Sequence, residues 1–309
     1  MGMPARVLVD CHTHTHFSDG AATFAENVRA AGTAGCRVMV STDHLTLPAS
    51  MDPTCAVSVA EDDLVAHRAA FDEARAAAAE LAPGLEYIYG FECDWYEGCE
   101  PYVERWSADA VVRLGSVHWL GNPGDISAGA AHPGHADDPA ARVAPAGTPG
   151  SDAGWIDDGD DLHLWLELGP DEVWRRYARA WYRACESPLD FDVMAHPDLA
   201  QRFCQEGFAA TCDLRPLLDE MAACAHDTGR RIEISTAGLR KGVGDYYPGR
   251  ALLERFCRAG VPITFSSDAH VARDVCSGVA DAMSHAFAIG YRSFDVPHAD
   301  GSWETVSLS

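Results

Sequence analysis

His12 and His14 stand two residues apart in the stretch Asp10-Cys11-His12-Thr13-His14-Thr15-His16-Phe17-Ser18-Asp19-Gly20, directly after the apolar run Val7-Leu8-Val9. In extended backbone, side chains two apart project from the same face. Two imidazoles therefore leave the end of a strand together, as chelation of one metal ion requires. Asp10 shares their parity and is expected to orient one ring. Further along, His44, Glu92, His118, His196, Asp268 and His270 each follow an apolar run, and Asp19 lies just beyond the opening pair. A lone histidine at a strand end is more often hydrogen-bonded structure than a ligand. Nine such side chains at one phase of successive units point instead to a shared site. So many carboxylates and imidazoles in one place repel and desolvate one another unless cations sit among them. One ion with three protein ligands leaves most of the set unused, so two or three divalent ions are expected.

The frame that must bring these residues together is legible in the hydrophobic pattern. Strands are expected over 7–9, 36–42, 85–91, 110–117, 191–195, 231–235 and 261–265, and helices over 21–35, 60–81, 170–185, 199–208, 214–228, 249–259 and 273–289. The tail from Tyr291 onward reads as loose, with at most one strand. Strands alternating with helices make a parallel sheet. Polar residues close every strand, which fits a closed or nearly closed barrel; an open sheet concentrates them at one switch point. No GxGxxG follows the first strand and no GxxxxGK[ST] occurs, so neither dinucleotide nor P-loop chemistry is indicated. Residues 1–309 read as a single domain with a Gly-, Pro- and Asp-rich insertion or lid at about 121–161, which holds His132 and His135. Its run Asp157-Asp158-Gly159-Asp160-Asp161 lacks the closing Glu of an EF-hand and reads as a solvated acidic loop.

A formal net charge of -24 opposes binding to nucleic acid, whose affinity rests on cations at phosphates. It leaves room for a small phosphorylated substrate, because local metals and cations override the global field. The 11 cysteines include no CxxC pair and read as free thiols. Cys11 and Cys93 have the wrong strand parity to be ligands. No apolar run approaches the ~20 residues of a membrane span. The N-terminus runs straight into a strand, so no signal peptide is expected and the location is read as cytoplasmic. Lys241 is the one lysine in the chain.

In order, His12-x-His14, Ser18-Asp19-Gly20, Thr42-Asp43-His44, Glu92, Ser116-Val117-His118, His196-Pro197-Asp198 and Asp268-x-His270 resemble the motifs of the PHP (polymerase and histidinol phosphatase) family. The resemblance implies a distorted (β/α)7 TIM-like barrel with a trinuclear site of zinc, manganese or iron at the C-terminal ends of the strands. Carried over, His12, His14, Glu92 and Asp268 hold one ion. Asp19, His44 and His270 hold a second, and His118 and His196 share a third with Glu92. Glu233-Ile-Ser-Thr-Ala-Gly-Leu-Arg240-Lys241-Gly, Tyr247-Pro248, Gly115-Ser-Val-His118-Trp and His196-Pro-Asp-Leu with Arg202 resemble the histidinol-phosphate phosphatase branch.

That branch implies hydrolysis of a phosphomonoester, histidinol phosphate, to histidinol and phosphate by a metal-bridging hydroxide. Arg240 and Arg202 are the implied phosphate clamp, with Lys241 beside them. Asp268 or His270 is the implied proton donor to the leaving group. Ser235 departs from the branch's usual asparagine, and the 121–161 insertion falls where substrate loops begin. Other readings keep part of the site. A PHP-type phosphatase or phosphodiesterase acting on a nucleotide or cyclic phosphate keeps all of it. Binuclear amidohydrolases need a lysine after strand four, whereas Lys241 follows strand six. A mononuclear deaminase leaves Asp19, His44 and Glu92 unused. A metal-binding regulatory module calls for an incomplete site.

Overall fold

The computed structural model describes residues 7–45, 57–121, 153–159 and 162–308. Short runs rich in Val, Ile, Phe and Tyr form the strands. In chain order these are β1 (Val9–Asp10), β2 (Val38–Ser41), β3 (His44–Leu45), β4 (Glu86–Asp94), β5 (Val112–Ser116) and β6 (Trp119–Leu120). Then come β7 (Gly154–Trp155), β8 (Val193–Met194), β9 (Arg231–Ser235), β10 (Ile263–Ser266), β11 (Ser293–Pro297) and β12 (Trp303–Ser307). The order β1-β2-β4-β5-β8-β9-β10 forms one parallel sheet, with β3 beside β4. Closure comes from the backbone: Cys11 N–H donates to Phe265 O at 3.0 Å, and Thr13 bridges Ala269 in parallel. The result is a seven-strand barrel, distorted because β1 and β8 pair over two residues each.

Helices follow the strands: α1 (Phe24–Ala34), α2 (Leu64–Leu81), α3 (Glu100–Trp106), α4 (His163–Leu168), α5 (Pro170–Cys185), α6 (Arg215–Thr228), α7 (Ala237–Arg240), α8 (Arg250–Ala259) and α9 (Val279–Ile289). Helix α1 starts where it does because Thr23 and Glu26 form a reciprocal capping box. Helix α5 buries Val173, Tyr177 and Trp181 on one side. Gly35, Gly229 and Gly260 end α1, α6 and α8 in the left-handed conformation. No helix of the described residues is long and apolar enough to cross a membrane.

Three expectations need correction. The tail is ordered: β11 and β12 pair antiparallel, and Asp295 and His298 bind Arg231 and Glu86, which open β9 and β4. The hairpin therefore covers the barrel end opposite the strand C-termini. Residues 199–208 form two short 3-10 turns, Leu199–Gln201 and Cys204–Glu206. The last helix starts at Val279, because Cys276 and Gly278 adopt positive φ and break any run from Arg273. At the end of the expected insertion, β7 pairs with β6, and Ala153 to Ile156 are buried. His132, His135, Asp160 and Asp161 lie outside the described residues. The ten described cysteines are free thiols.

Candidate metal centre

All nine side chains picked out by strand-end position meet at the C-terminal mouth of the barrel. His12 Nε2 lies 2.8 Å from Glu92 Oε2, and His196 Nε2 lies 2.8 Å from Glu92 Oε1. His14 Nε2 is 3.3 Å from Asp268 Oδ1 and 3.5 Å from Glu92 Oε2. His270 Nε2 faces Asp19 Oδ2 at 3.1 Å, and His44 Nε2 faces Asp19 Oδ1 at 3.8 Å. His118 Nε2 lies 3.7 Å from Glu92 Oε1. His44 Nδ1 lies 3.2 Å from Glu92 Oε2, so Glu92 stands among five imidazoles.

Three groups have ligand atoms close enough for one ion each: His12, His14 and Glu92; His14, Asp19, His44 and His270; and His44, Glu92, Asp94 and His118. The first holds three of the four residues expected together, without Asp268; the second holds Asp19, His44 and His270 with His14 added; the third keeps Glu92 and His118, has His44 in place of His196, and brings in Asp94, which sequence reasoning missed.

Local backbone explains how the loops reach the mouth. Gly20 packs against the His14-Thr15 backbone, where a Cβ would lie 2.9 Å from His14 C and Thr15 N. Only glycine lets the Ser18-Asp19 turn fold back so that Asp19 joins the histidines. Asp43 fixes the same turn from below. Its carboxylate accepts from Thr15 N at 2.6 Å, Thr15 Oγ1 at 2.7 Å, Ser18 Oγ at 2.6 Å and His67 Nε2 at 2.9 Å. His196 and Asp268 hold positive φ of 24° and 53°, a strained conformation for side-chain-bearing residues that recurs at functional sites.

Orientation of the rings falls to carboxylates other than Asp10. Asp10 accepts from Ser267 N and Cys276 N, each at 2.7 Å, and ties β1 to the loop after β10. Glu233 takes the role expected of Asp10: Oε1 faces His12 Nδ1 at 2.7 Å, and Oε2 accepts from His196 N at 2.7 Å. Asp94 Oδ1 faces His118 Nδ1 at 2.9 Å and His44 Nδ1 at 3.3 Å, and accepts from Ser116 Oγ at 2.6 Å. Asp94 shares the strand parity of Glu92 in β4, and Glu233 opens a named motif in β9, but which ring each faces depends on pairing across strands.

The electrostatics are those of a site built for cations. Burial opposes charge on every group, yet the carboxylates Glu92, Asp94, Asp19, Asp268 and Glu233 are all held below their ordinary range. Imidazoles supply the compensation: burial pulls His12 and His44 down, but Glu92 and its neighbours push both well above the usual value. His118 rises to about 9 against burial, chiefly through Asp94. Protons on these rings stand where divalent ions would sit. His14 is the exception. Burial, then His270 and His44, lower it to about 4, and both of its buried ring nitrogens lack a hydrogen-bond partner. A buried, neutral imidazole whose ring nitrogens make no hydrogen bond, set among three carboxylates, has the chemistry of a metal ligand.

The expected phosphate clamp is placed differently for each member. Arg240 spends its guanidinium on Ser267 O, Asp268 O, Thr236 Oγ1 and Asp274, and so braces the turn that carries Asp268. Arg202 Nη1 donates to Lys241 O at 2.6 Å. Lys241, placed beside the two arginines by sequence, reaches the cluster, with Nζ 3.3 Å from Asp268 Oδ2. Cys11 Sγ faces Thr264 Oγ1 at 3.3 Å, and Cys93 is buried with a thiol that burial pushes well up. His16 is exposed and lies against Ala22 O at 3.4 Å.

Residues 10–132 match the PHP domain model. A Deinococcus radiodurans protein named as a probable histidinol-phosphatase is 27% identical over 299 residues, covering 94% of this chain and 97% of that one. Two solved structures share the fold. One, a candidate histidinol phosphatase from Listeria monocytogenes, aligns with a TM-score of 0.71 at 19% identity over 88% of this chain and 99% of its own. The other is histidinol phosphate phosphatase from Lactococcus lactis, solved with zinc, L-histidinol and phosphate. It aligns with a TM-score of 0.69 at 17% identity over 96% of this chain and 98% of its own. The resemblance to the PHP family and the distorted barrel it implied both hold.

Proposed function

We propose, from the premise of a PHP domain on a closed barrel, that this chain is a metal-dependent phosphoric monoester hydrolase whose substrate is histidinol phosphate. One observation carries the reading: His14 is fully buried with both ring nitrogens unpartnered, between Asp19, Glu92 and Asp268. The donor set is mixed imidazole and carboxylate, which suits zinc, manganese or iron. His12, His14, Glu92 and Asp268 would hold one ion, Asp19, His44 and His270 a second, and His118, His196 and Glu92 a third. Ions bound there supply Lewis acidity and make water nucleophilic at neutral pH.

The remaining work falls to the chain's own side chains. Lys241 offers its ammonium at the edge of the cluster, where it can meet a phosphate oxygen. Arg202 positions the Lys241 backbone and keeps part of its guanidinium for the same phosphate. Arg240 holds the Ser267-Asp268 turn in place. His270 is the proton donor of choice over Asp268. Its Nε2 faces Asp19 and the ion the two would hold, so the proton it can pass is the one on Nδ1, 3.4 Å from Asp268 Oδ1; its side chain is 29% exposed, whereas Asp268 is 3% exposed and ionised by Lys241 and His12. Glu233 and Asp94 keep the Nδ1 protons of His12, His44 and His118 in place, which leaves each Nε2 to face the mouth.

Metal analysis of the purified chain, followed by phosphate release from histidinol phosphate before and after chelation, tests the reading. More than one equivalent of transition metal and loss of turnover on chelation are expected. Full activity in the chelated protein would exclude it. The same assay across a phosphomonoester panel separates histidinol phosphate from nucleotide or cyclic substrates.

A further inference from the structure

The ring of His196 is held differently from those of its neighbours in the cluster. His12, His44 and His118 each turn Nδ1 to a carboxylate, Glu233 or Asp94. His196 Nε2 meets Glu92 Oε1 at 2.8 Å, but its Nδ1 is buried and has no hydrogen-bond partner among the described residues. On that side the ring has only packing: the Tyr247 ring lies edge-on to it, 6.3 Å away. The aim of His196 must therefore come from its backbone.

That backbone is strained. His196 has φ of 24° and precedes Pro197, and a residue before proline is pushed toward extended conformations. Such a conformation persists only where its surroundings over-determine it. Here three elements do so. From β9, Glu233 Oε2 accepts from His196 N at 2.7 Å. From the start of α8, Gly249 N donates to Asp198 Oδ2 at 2.8 Å. From α5, the Tyr177 hydroxyl donates to His196 O at 3.2 Å and accepts from Leu199 N at 3.3 Å. Tyr177 thus spans both ends of the turn His196-Pro197-Asp198-Leu199, which Leu199 N closes on His196 O at 3.0 Å. The Tyr177 ring is fully buried, with Val173 and Trp181 among the buried residues of the same helix. The ring belongs to the core, and the hydroxyl links that core to the cluster.

We propose that Tyr177 is a positioning residue: its hydroxyl holds the strained His196 turn so that Nε2 faces Glu92 and the metal position the two would share. This rests on the metal-dependent hydrolase reading, which places an ion among His118, His196 and Glu92. Without the hydroxyl, the turn loses its only side-chain tie to α5, relaxes toward extended backbone, and carries the imidazole with it.

Tyr177→Phe, in the full chain, keeps the ring and removes the hydroxyl. Cobalt titration followed by visible absorption reads the site, with Trp181→Phe as the comparison. Trp181 lies one turn along α5 and is as deeply buried, so its truncation loosens the same helix without touching the His196 turn. Tyr177→Phe should weaken one cobalt step by roughly 10-fold and change its absorption band, and kcat/KM for histidinol phosphate should fall alongside. Trp181→Phe should lower Tm and leave every cobalt step unchanged. In a His196→Ala background, Tyr177→Phe should cost no further affinity, because the hydroxyl acts through that residue. Wild-type affinity and spectrum in Tyr177→Phe, an equal change in Trp181→Phe, or a full additional loss in the His196→Ala background would each overturn the proposal. A wild-type chain that binds no transition metal would overturn both the proposal and the hydrolase reading. A chain that binds metal and shows the expected changes, yet releases phosphate from no substrate, would leave the role of Tyr177 standing and remove the hydrolase.

Discussion

Glu233 Oε1 accepts a hydrogen bond from His12 Nδ1 at 2.7 Å, on the far side of the ring from Glu92. An ionised carboxylate only accepts, so the bond fixes which nitrogen carries hydrogen and leaves Nε2 for the ion. Glu233→Gln keeps the shape and removes the charge. Metal affinity at the position held by His12 should fall roughly 10- to 100-fold. Competitive titration with a chromophoric chelator reads this directly; unchanged affinity would show that His12 is oriented by packing alone.

Asp94 performs this service twice, for His118 at 2.9 Å and His44 at 3.3 Å, and those two rings are assigned to different ions. Asp94→Asn should therefore weaken two metal positions together, each by about tenfold or more. In a cobalt titration followed by its visible absorption, two of the binding steps should move. Loss of a single step would make Asp94 a ligand to one ion.

How much of this was legible beforehand follows from what each residue's neighbours are. His12, His14, His44, Glu92, His118, His196, Asp268 and His270 stand at strand ends, and a closed barrel brings every such end to one mouth, so periodicity alone located them. Asp94 and Glu233 escaped because their role depends on which ring each faces, and pairing across strands does not show in a one-dimensional pattern. Asp10 misled for the same reason: it has the parity of His12, but it bonds to the backbone of Ser267 and Cys276. Arg240 and Lys241 are adjacent in sequence, and the short helix Ala237–Arg240 turns one toward the Ser267-Asp268 backbone and the other toward the Asp268 carboxylate. Ile156 gave no signal of its place beside His118, because it bonds there through backbone, which carries no sequence signature.

Loading the cluster should release protons, since His12, His44 and His118 are raised in the metal-free chain and must give up the ring proton facing the ion. The sign for stability follows. In chelated protein the raised histidines contribute fully below their ordinary value of about 6.5, and that contribution is lost as pH climbs through the folded values. For His118 the folded value is about 9. The Tm of chelated protein should therefore fall between pH 6.5 and about 9, whereas metal-loaded protein, with those protons already displaced, should lack the slope. Parallel slopes in the two forms would show that the histidines do not compensate the buried carboxylates.

His67 lies outside the cluster yet supports it. Fully buried on α2, it donates from Nε2 to Asp43 at 2.9 Å, and its Nδ1 faces Tyr89 Oη at 2.8 Å. Asp43 in turn holds Thr15 and Ser18, the residues that place Asp19. Hydrogen bonds from this ring and from Ser18 hold the Asp43 carboxyl at about 2 despite burial. His67→Ala leaves a cavity and a buried carboxylate short of one donor, which should destabilise the chelated protein by about 2–4 kcal/mol in urea unfolding. His67→Gln restores a donor without the ring's volume and should recover part of that loss. Because Asp19 serves the ion held with His44 and His270, His67→Ala should also weaken that one position while the position held by His12 stays closer to wild type. A stability loss with all metal positions intact would confine His67 to the core.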